Sequence, residues 1–199
     1  KHYPHKFHDF HVDVLIDDKD LKIKDFTGFI DDSDFHFNGL VHNYGFWMQK
    51  ELNGDVDLDI SLTSDLLRLE DLFSYQGENY VPEEYRHEEF EKLALHVNSS
   101  MHYKASKLHS IDLELDKLNT KMHVHPLRFE DFTGDFHYED DHLVVKDFIG
   151  KIGRTSFNIG LNYYLGDNEA IKKRDNNLSF KANYIDYDQL FPPDETKEK

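Results

Sequence analysis

The chain has 199 residues, no cysteine and a formal net charge of −17. Its length suits a single domain, and the lack of cysteine excludes a disulfide framework, a thiol nucleophile and a thiolate zinc site. The negative charge repels phosphate-rich surfaces, which excludes nucleic acid as a partner and polybasic docking on anionic lipid.

Alternation of apolar and polar residues predicts β-strands along most of the chain. Apolar content is low at 38%, yet there are 16 Phe and 11 Tyr, a combination that favours thin sheets covered by aromatic side chains. The clearest alternation is in "DVDLDISLTS", residues 55–64. Similar stretches are "FHFNG" (35–39), "IDLELDKL" (111–118) and "LSFKANY" (178–184).

Short acidic or glycine-containing turns separate these strands, which predicts consecutive antiparallel hairpins. The turns fall at 17–20, 31–34, 52–55, 139–142 and 152–155. One short helix is predicted near 82–92, because Pro82 suits a first helical turn and Glu83 and Glu84 favour the positive end of a helix dipole. Helical turns or tight caps are expected within 65–73 and 186–191.

The chain contains an internal repeat at an offset of 122 residues. "LKIKDFTGFI" (21–30) and "LVVKDFIGKI" (143–152) are identical at six of ten positions. The match extends upstream, where Phe10 corresponds to Phe132. We predict repeat unit A over about 7–73, a helix and further strands over about 80–128, repeat unit B over about 129–191 and a disordered tail over 192–199.

Both copies of the repeat predict a bend at the same place. Leu21 and Ile23 have one parity and Phe26 has the other, so a β-bulge near Asp25 would keep all three side chains on one face. The second copy has the same pattern around Asp147. With a glycine three residues after each bulge, the sheet is expected to curl.

The second copy resembles a known family. "FEDFTGDFHYEDDHLVVKDFIGKIGRTSFNIG" (129–160) followed by "LSFKANYIDYDQLF" (178–191) is similar to the C-terminal repeating region of AsmA-like proteins, which are related to the TamB-like group. The first copy, 7–73, fits the same pattern with Asp31 in place of Gly153. Most of the chain is therefore covered by the resemblance.

The resemblance implies an all-β fold, a curled antiparallel sheet shaped as a groove or half-barrel with an apolar concave face. AsmA-like proteins are periplasmic envelope proteins, anchored in the inner membrane and associated with outer-membrane biogenesis. The implied role is non-catalytic, needs no cofactor and consists of carrying phospholipid acyl chains along the groove. The implied inner-membrane anchor lies outside this segment of a longer chain, and outer-membrane proteins are further candidate partners.

Strand alternation selects the side chains that would line such a groove. They share apolar character and the inward parity of their strands. The predicted lining residues are Phe35, Phe37, Val56, Leu58, Ile60, Leu62, Leu143, Val145, Phe157, Ile159, Leu178, Phe180 and Ala182.

Two alternatives to a lipid groove remain open. One is a structural domain of the cell envelope with two packed sheets. The other is a carbohydrate-binding β domain, for which Trp47, Tyr163 and Tyr164 are the candidate aromatics. No Gly-x-Ser-x-Gly elbow supports a hydrolase triad.

The 14 histidines are interpreted as solvated strand residues. His2, His5, His8 and His11 are three apart, so on a strand they alternate faces and do not converge on one ion. His123 and His125 would share a face, but no third metal ligand is fixed by spacing. No metal site is predicted.

Overall fold

A computed structural model describes residues 5–75, 78–79, 83, 86–123 and 127–190. Ten strands form one open antiparallel sheet in which every neighbour in space is the next long strand along the chain. This confirms the predicted all-β meander and its curled sheet. The long strands are β1 (Phe7–Ile16), β2 (Asp20–Ile30), β3 (Ser33–His42), β4 (Gly54–Arg68), β7 (Glu89–Lys104), β8 (Lys107–Met122), β9 (Arg128–Glu139), β10 (His142–Ile152), β11 (Thr155–Tyr164) and β12 (Asn177–Ala182).

Short elements occupy the connections. Two-residue strands β5 (Ser74–Tyr75) and β6 (Glu78–Asn79) pair with each other, and a 3₁₀-helix covers Tyr44–Met48. The α-helices are α1 (Leu69–Phe73), α2 (Glu169–Asp175) and α3 (Tyr187–Leu190). α1 and α3 lie where the sequence predicts helical turns.

The predicted helix near 82–92 is wrong over its second half. Arg86 and His87 form a turn, and Glu89 begins β7, which is paired on both sides by β4 and β8. Sheet pairing on two edges outweighs a local helical preference, because propensity is only a weak prior. Pro82, Glu84 and Tyr85 lie outside the described residues, as does the predicted tail at 192–199.

The offset of 122 relates the strand bounds as well as the sequence. Adding 122 to the bounds of β2 and β3 gives the bounds of β10 and β11. The turns also match, since Asp31 (φ 50) and Gly153 (φ 57) both adopt the left-handed conformation. Aspartate tolerates this region better than most residues, so the turn keeps its backbone path without glycine.

The predicted bulges are confirmed at equivalent positions. The register between β2 and β3 shifts between Ile23 and Phe26, and the register between β10 and β11 shifts between Val145 and Phe148. Each shift keeps the following aromatic residue on the same face as the apolar residue before it. The sheet is therefore bent at equivalent positions in the β2–β3 and β10–β11 hairpins.

Each hairpin unit has an ion pair near the turn after its second strand, and the acidic and basic partners are exchanged between the two units. Arg68, at the end of β4, contacts Asp32 at 2.9 Å. In the second stretch, Arg154 occupies the position equivalent to Asp32 and contacts Asp186 at 3.9 Å. Both hairpin units thus have an ion pair in this region, with acid and base exchanged, but only the Arg68–Asp32 contact is short enough to be a hydrogen bond.

The apolar core lies on one face of the sheet. Phe132 is 4% exposed, and the rings of Phe129, Phe148 and Phe157 lie with centroids 5.4–5.5 Å from its own. At the opposite end of the strands, Phe46 of the 3₁₀-helix is fully buried, with its ring centroid 5.3 Å from that of Tyr103.

Candidate functional site: one apolar face across ten strands

A single cross-strand row runs through the whole sheet. Residues directly opposite each other in neighbouring strands project to the same face, so the register can be followed from edge to edge. The row is Ile16, Leu21, Val41, Leu58, Ser99, Leu113, Phe136, Val145, Leu161 and Leu178. Nine of its ten members are apolar, so the apolar face is continuous from β1 to β12.

All thirteen predicted lining residues lie on this apolar face. Leu58, Val145 and Leu178 belong to the row itself, and the others follow from it by the period of two and the bulges just described. Val56 is fully buried and Val145 is 8% exposed, whereas most of the others are half-buried. The register thus places residues that are separated by up to 147 positions in the chain on one face of the sheet.

The ends of the apolar face are open to solvent. Phe10 and Ile16 on β1 are 61% and 63% exposed, and Leu178 and Phe180 on β12 are 69% and 53% exposed. Within the described part of the chain, the only other sheet is the two-stranded β5–β6 pair. No second sheet layer of comparable size covers the apolar face in those residues.

Ser99 is the polar member of the apolar row. It is 9% exposed, and its Oγ has no hydrogen-bond partner among the described residues. A hydroxyl that is buried without a partner costs roughly 1–3 kcal/mol. Alternation did not identify this position, because a serine in "HVNSSMH" is equally compatible with either face.

The opposite, polar face carries a trough of about 700 Å³. Most of the residues that line it have the other parity, but Leu58, Ser99, Leu113 and Phe136 of the apolar row border it as well. Leu58 is the only predicted lining residue among them. The resemblance implies an apolar concave face, whereas this concavity opens on the polar face. The polar residues of the other parity that line it are His42, Asp57, Asp59, Asn98, Ser100, Asp112, Glu114, Asp135, His137 and Lys146.

Most described histidines contact a carboxylate across the polar face or at its margin. His137 lies 2.6 Å from Asp112 on the neighbouring strand, and His96 lies 2.9 Å from Asp59. These contacts place an imidazole ring beside a carboxylate in a chain with a large negative net charge. Most described histidines thus pair with carboxylates on the solvent-exposed polar face. This agrees with the interpretation from sequence that they are solvated strand residues.

One mixed cluster has atoms close enough to hold a metal ion, and sequence spacing did not indicate it. His5, Asp31 and Asp71 bring one ligand atom each within 4.8 Å of one another. Asp31 accepts hydrogen bonds from the Lys6 backbone N–H and contacts the His5 ring, and Asp71 accepts one from Ser33. These contacts account for the cluster without an ion. His125 lies outside the described residues, so the His123 and His125 pair is not tested.

The capped helix α2 gives a prediction on pH. Asp175 accepts hydrogen bonds from the Arg174 guanidinium and contacts His142, and these contacts lower its pKa from 3.8 to about 2. A carboxyl with a lowered pKa stabilises the fold above pH 4, and this contribution is lost as the pH falls towards 2. NMR titration of the Asp175 carboxyl should show a midpoint near 2. Arg174→Ala should raise that midpoint, and a native midpoint near 4 would contradict the assignment.

The three candidate sugar-binding aromatics have different surroundings among the described residues. Tyr163 is 43% exposed on the apolar face, directly opposite Leu143. Tyr164 packs its ring 4.9 Å from that of His142, and Trp47 packs edge-on against Phe46 at 6.5 Å. Tyr164 and Trp47 each pack against another ring of the fold, and Trp47 is also 44% exposed.

No family model, curated protein or solved structure matches the chain. Among the described residues, no helix has the length and apolar character needed to cross a bilayer.

Proposed function

We propose that this domain is a periplasmic, AsmA-like envelope module that carries phospholipid acyl chains along the apolar face of its sheet. The role is non-catalytic and supports outer-membrane biogenesis. An inner-membrane anchor elsewhere in a longer chain would hold the module in place, and outer-membrane proteins are the expected partners at its far end.

The observation that supports this proposal is the cross-strand row from Ile16 to Leu178, in which every residue except Ser99 is apolar. A sheet that only has to be stable needs a second layer over its apolar face. Here the described residues supply the face and no second layer of comparable size, so the apolar surface is available to a ligand. A flexible hydrocarbon chain suits a face that is long, continuous and poor in hydrogen-bonding groups.

The energy of such binding is sufficient without head-group recognition. Each buried methylene contributes about 0.8 kcal/mol, so ten carbons resting on the face would contribute several kcal/mol. Binding of this strength is reversible and nearly independent of position along the row. A chain could therefore move from strand to strand without a large barrier at any one of them.

Site-specific photo-crosslinking in the natural full-length protein tests the proposal. Leu58 and Asp57 are neighbours in β4 that project to opposite faces, as are Phe180 and Lys181 in β12. Crosslinkers at 58 and 180 should give adducts with phospholipid masses, whereas those at 57 and 181 should not. Equal recovery from both faces, or no adducts from 58 and 180, would leave a structural envelope domain as the better account.

Charge on the apolar face should remove the bound lipid. Phe180→Asp is the best change, because Phe180 is 53% exposed and its replacement disturbs little packing. Losing contact with two methylenes costs about 1.6 kcal/mol, so lipid recovered by mass spectrometry should fall about tenfold. Lys181→Ser is the matched control and should leave lipid recovery unchanged. A loss of lipid in both variants would point to unfolding.

A further inference from the structure

We infer that His5, Asp31 and Asp71 form a binding site for one divalent transition-metal ion of the zinc type. The site lies at the end of the sheet that carries the β2–β3 turn, so the inference holds whether or not the apolar face carries lipid. Its ligands are one imidazole nitrogen and one oxygen from each of two carboxylates, a set that zinc accepts in proteins. Magnesium and calcium prefer oxygen ligands alone.

Three separate segments of the chain bring the ligands together. His5 precedes β1, Asp31 lies in the turn between β2 and β3, and Asp71 belongs to α1 after β4. One ligand atom of each lies within 4.8 Å of the other two. The Lys6 backbone N–H donates to Asp31 and the Ser33 hydroxyl donates to Asp71, so both carboxylates are held in position when no ion is bound.

An ion would replace the hydrogen bond between His5 and Asp31. The His5 Nδ1 and the Asp31 Oδ2 are 2.6 Å apart, whereas two ligands of a tetrahedral zinc ion are about 3.4 Å apart. These two side chains would therefore separate by about 1 Å. The proton that they share would pass to solvent, because imidazole and carboxylate bind a metal in their deprotonated forms.

The charge of the two carboxylates is not balanced by the described residues. Asp71 is 6% exposed, and one of its oxygens lies close to one of Asp31. In the described part of the chain, no Lys or Arg forms an ion pair with either carboxylate, and the ion-pair partner of Asp31 is the His5 ring. An imidazolium offsets one negative charge, whereas a divalent cation offsets both.

The second hairpin unit contains an equivalent junction. Residue 69, which begins α1, and residue 187, which begins α3, are 118 positions apart. The backbone N–H of Arg68 donates to the Ser33 Oγ at 2.9 Å, and that of Asp186 donates to the Thr155 Oγ1 at 3.5 Å. Ser33 and Thr155 are equivalent at the offset of 122, so α3 docks on its turn as α1 does.

This second junction is built without charges. The residues equivalent to the three proposed ligands are Leu127, Gly153 and Gln189. A Cβ added to Gly153 would lie 2.8 Å from the Leu127 Cδ1 and 2.5 Å from the Gln189 Oε1, so these three residues meet as well. The fold therefore closes this junction without a histidine or a carboxylate. A bound cation explains why the first unit has one histidine and two aspartates there.

Titration of the full chain with zinc chloride, after treatment with a chelator, tests the inference by calorimetry. The chain has 14 histidines and 40 acidic residues, so weak binding elsewhere is expected as a background to one tight site. Asp71→Asn removes a charge but keeps an oxygen that can accept from Ser33. It should weaken the tight site at least tenfold, because even the loss of an outer-shell partner weakens metal binding about 10–100-fold. His5→Gln should have a similar effect.

His96→Gln is the matched control, because His96 also contacts two aspartates. Its Nε2 lies 2.9 Å from Asp59 and its Nδ1 lies 3.2 Å from Asp116. The two carboxylates contact different ring nitrogens, so they do not converge with the ring on one ion. This variant should keep the tight zinc site unchanged.

Thermal unfolding gives a second measurement. An ion that binds only the folded chain stabilises it, so zinc should raise the melting temperature of the unmodified chain and of His96→Gln, but not that of Asp71→Asn. If Asp71→Asn is unfolded by circular dichroism, Asp31→Asn replaces it, because asparagine tolerates the φ of 50 at this position.

A chain without a tight zinc site would overturn the inference. So would tight binding that survives Asp71→Asn and His5→Gln, or that is lost equally in His96→Gln. Tighter binding of magnesium or calcium than of zinc would also contradict it, because a site with an imidazole ligand should prefer zinc.

Discussion

Phe132→Ala should destabilise the fold by about 3–5 kcal/mol, the usual cost of removing a buried aromatic side chain. Phe132 is 4% exposed and its ring contacts three other phenylalanine rings. Because the sheet has no thick second layer among the described residues, little surrounding structure can collapse into the cavity. Equilibrium unfolding in urea measures the loss as a lower midpoint with an unchanged slope.

Phe10→Ala is the matched control for this change. Phe10 occupies the equivalent position at the offset of 122 and lies next to Gly28, although its Cβ and Cα, and not its ring, are its nearest atoms to that glycine. It is 61% exposed because β1 is an edge strand. Its removal should cost about 1 kcal/mol or less. Equal losses in the two variants would show that Phe132 is not part of a packed core.

Sequence reasoning identified the periodic features of the fold and missed two others: a segment that is decided by tertiary pairing, and a short helix with a local signal. The parity change at Phe26 and Phe148 was enough to locate two bulges, because side-chain alternation in a strand is strict. The predicted helix near 82–92 was wrong over its second half because that segment belongs to β7, which pairs with β4 on one side and β8 on the other. Helix α2 was missed although its signal is local: Asn168 caps the N-terminus and Lys172 to Arg174 occupy the last turn.

The sequence predicted which residues share the apolar face, but it did not predict which face of the sheet is concave. Alternation placed Leu58 and Phe180 on one face, and register then joined them across the whole sheet. Where the sheet is concave depends on how twist and bulges accumulate over ten strands, and no short stretch of sequence encodes that sum. The trough beside Asp57 and His137 on the polar face is therefore a feature that the sequence did not predict.

The glycine within each repeat makes room for the aromatic residue above it. A Cβ added to Gly150 would lie 2.8 Å from three ring atoms of Phe132, which is closer than real contacts allow. Phe132 is held by its neighbours and cannot move away, so Gly150→Ala should cost about 1–3 kcal/mol through overpacking. Thermal or urea unfolding gives the value.

Gly160→Ala separates this effect from the general effect of replacing a strand glycine. At Gly160 the nearest atom to an added Cβ is the Ser179 Oγ at 3.6 Å, an ordinary contact. The substitution should be neutral, or should stabilise by about 0.4–1 kcal/mol because alanine restricts the unfolded chain. A similar loss in both variants would mean that strand glycines are needed for flexibility and not for the space that they leave.

A double-mutant cycle between Phe132 and Gly150 tests the contact itself. Once Phe132→Ala has removed the ring, Gly150→Ala no longer meets an obstacle, and its cost should fall to near zero or change sign. The resulting coupling of about 1–3 kcal/mol is within the range found for residues in direct contact. Strictly additive losses would show that the two residues act independently. The close fit of the Phe132 ring over Gly150 would then not explain why both copies of the repeat keep a phenylalanine and a glycine at these positions.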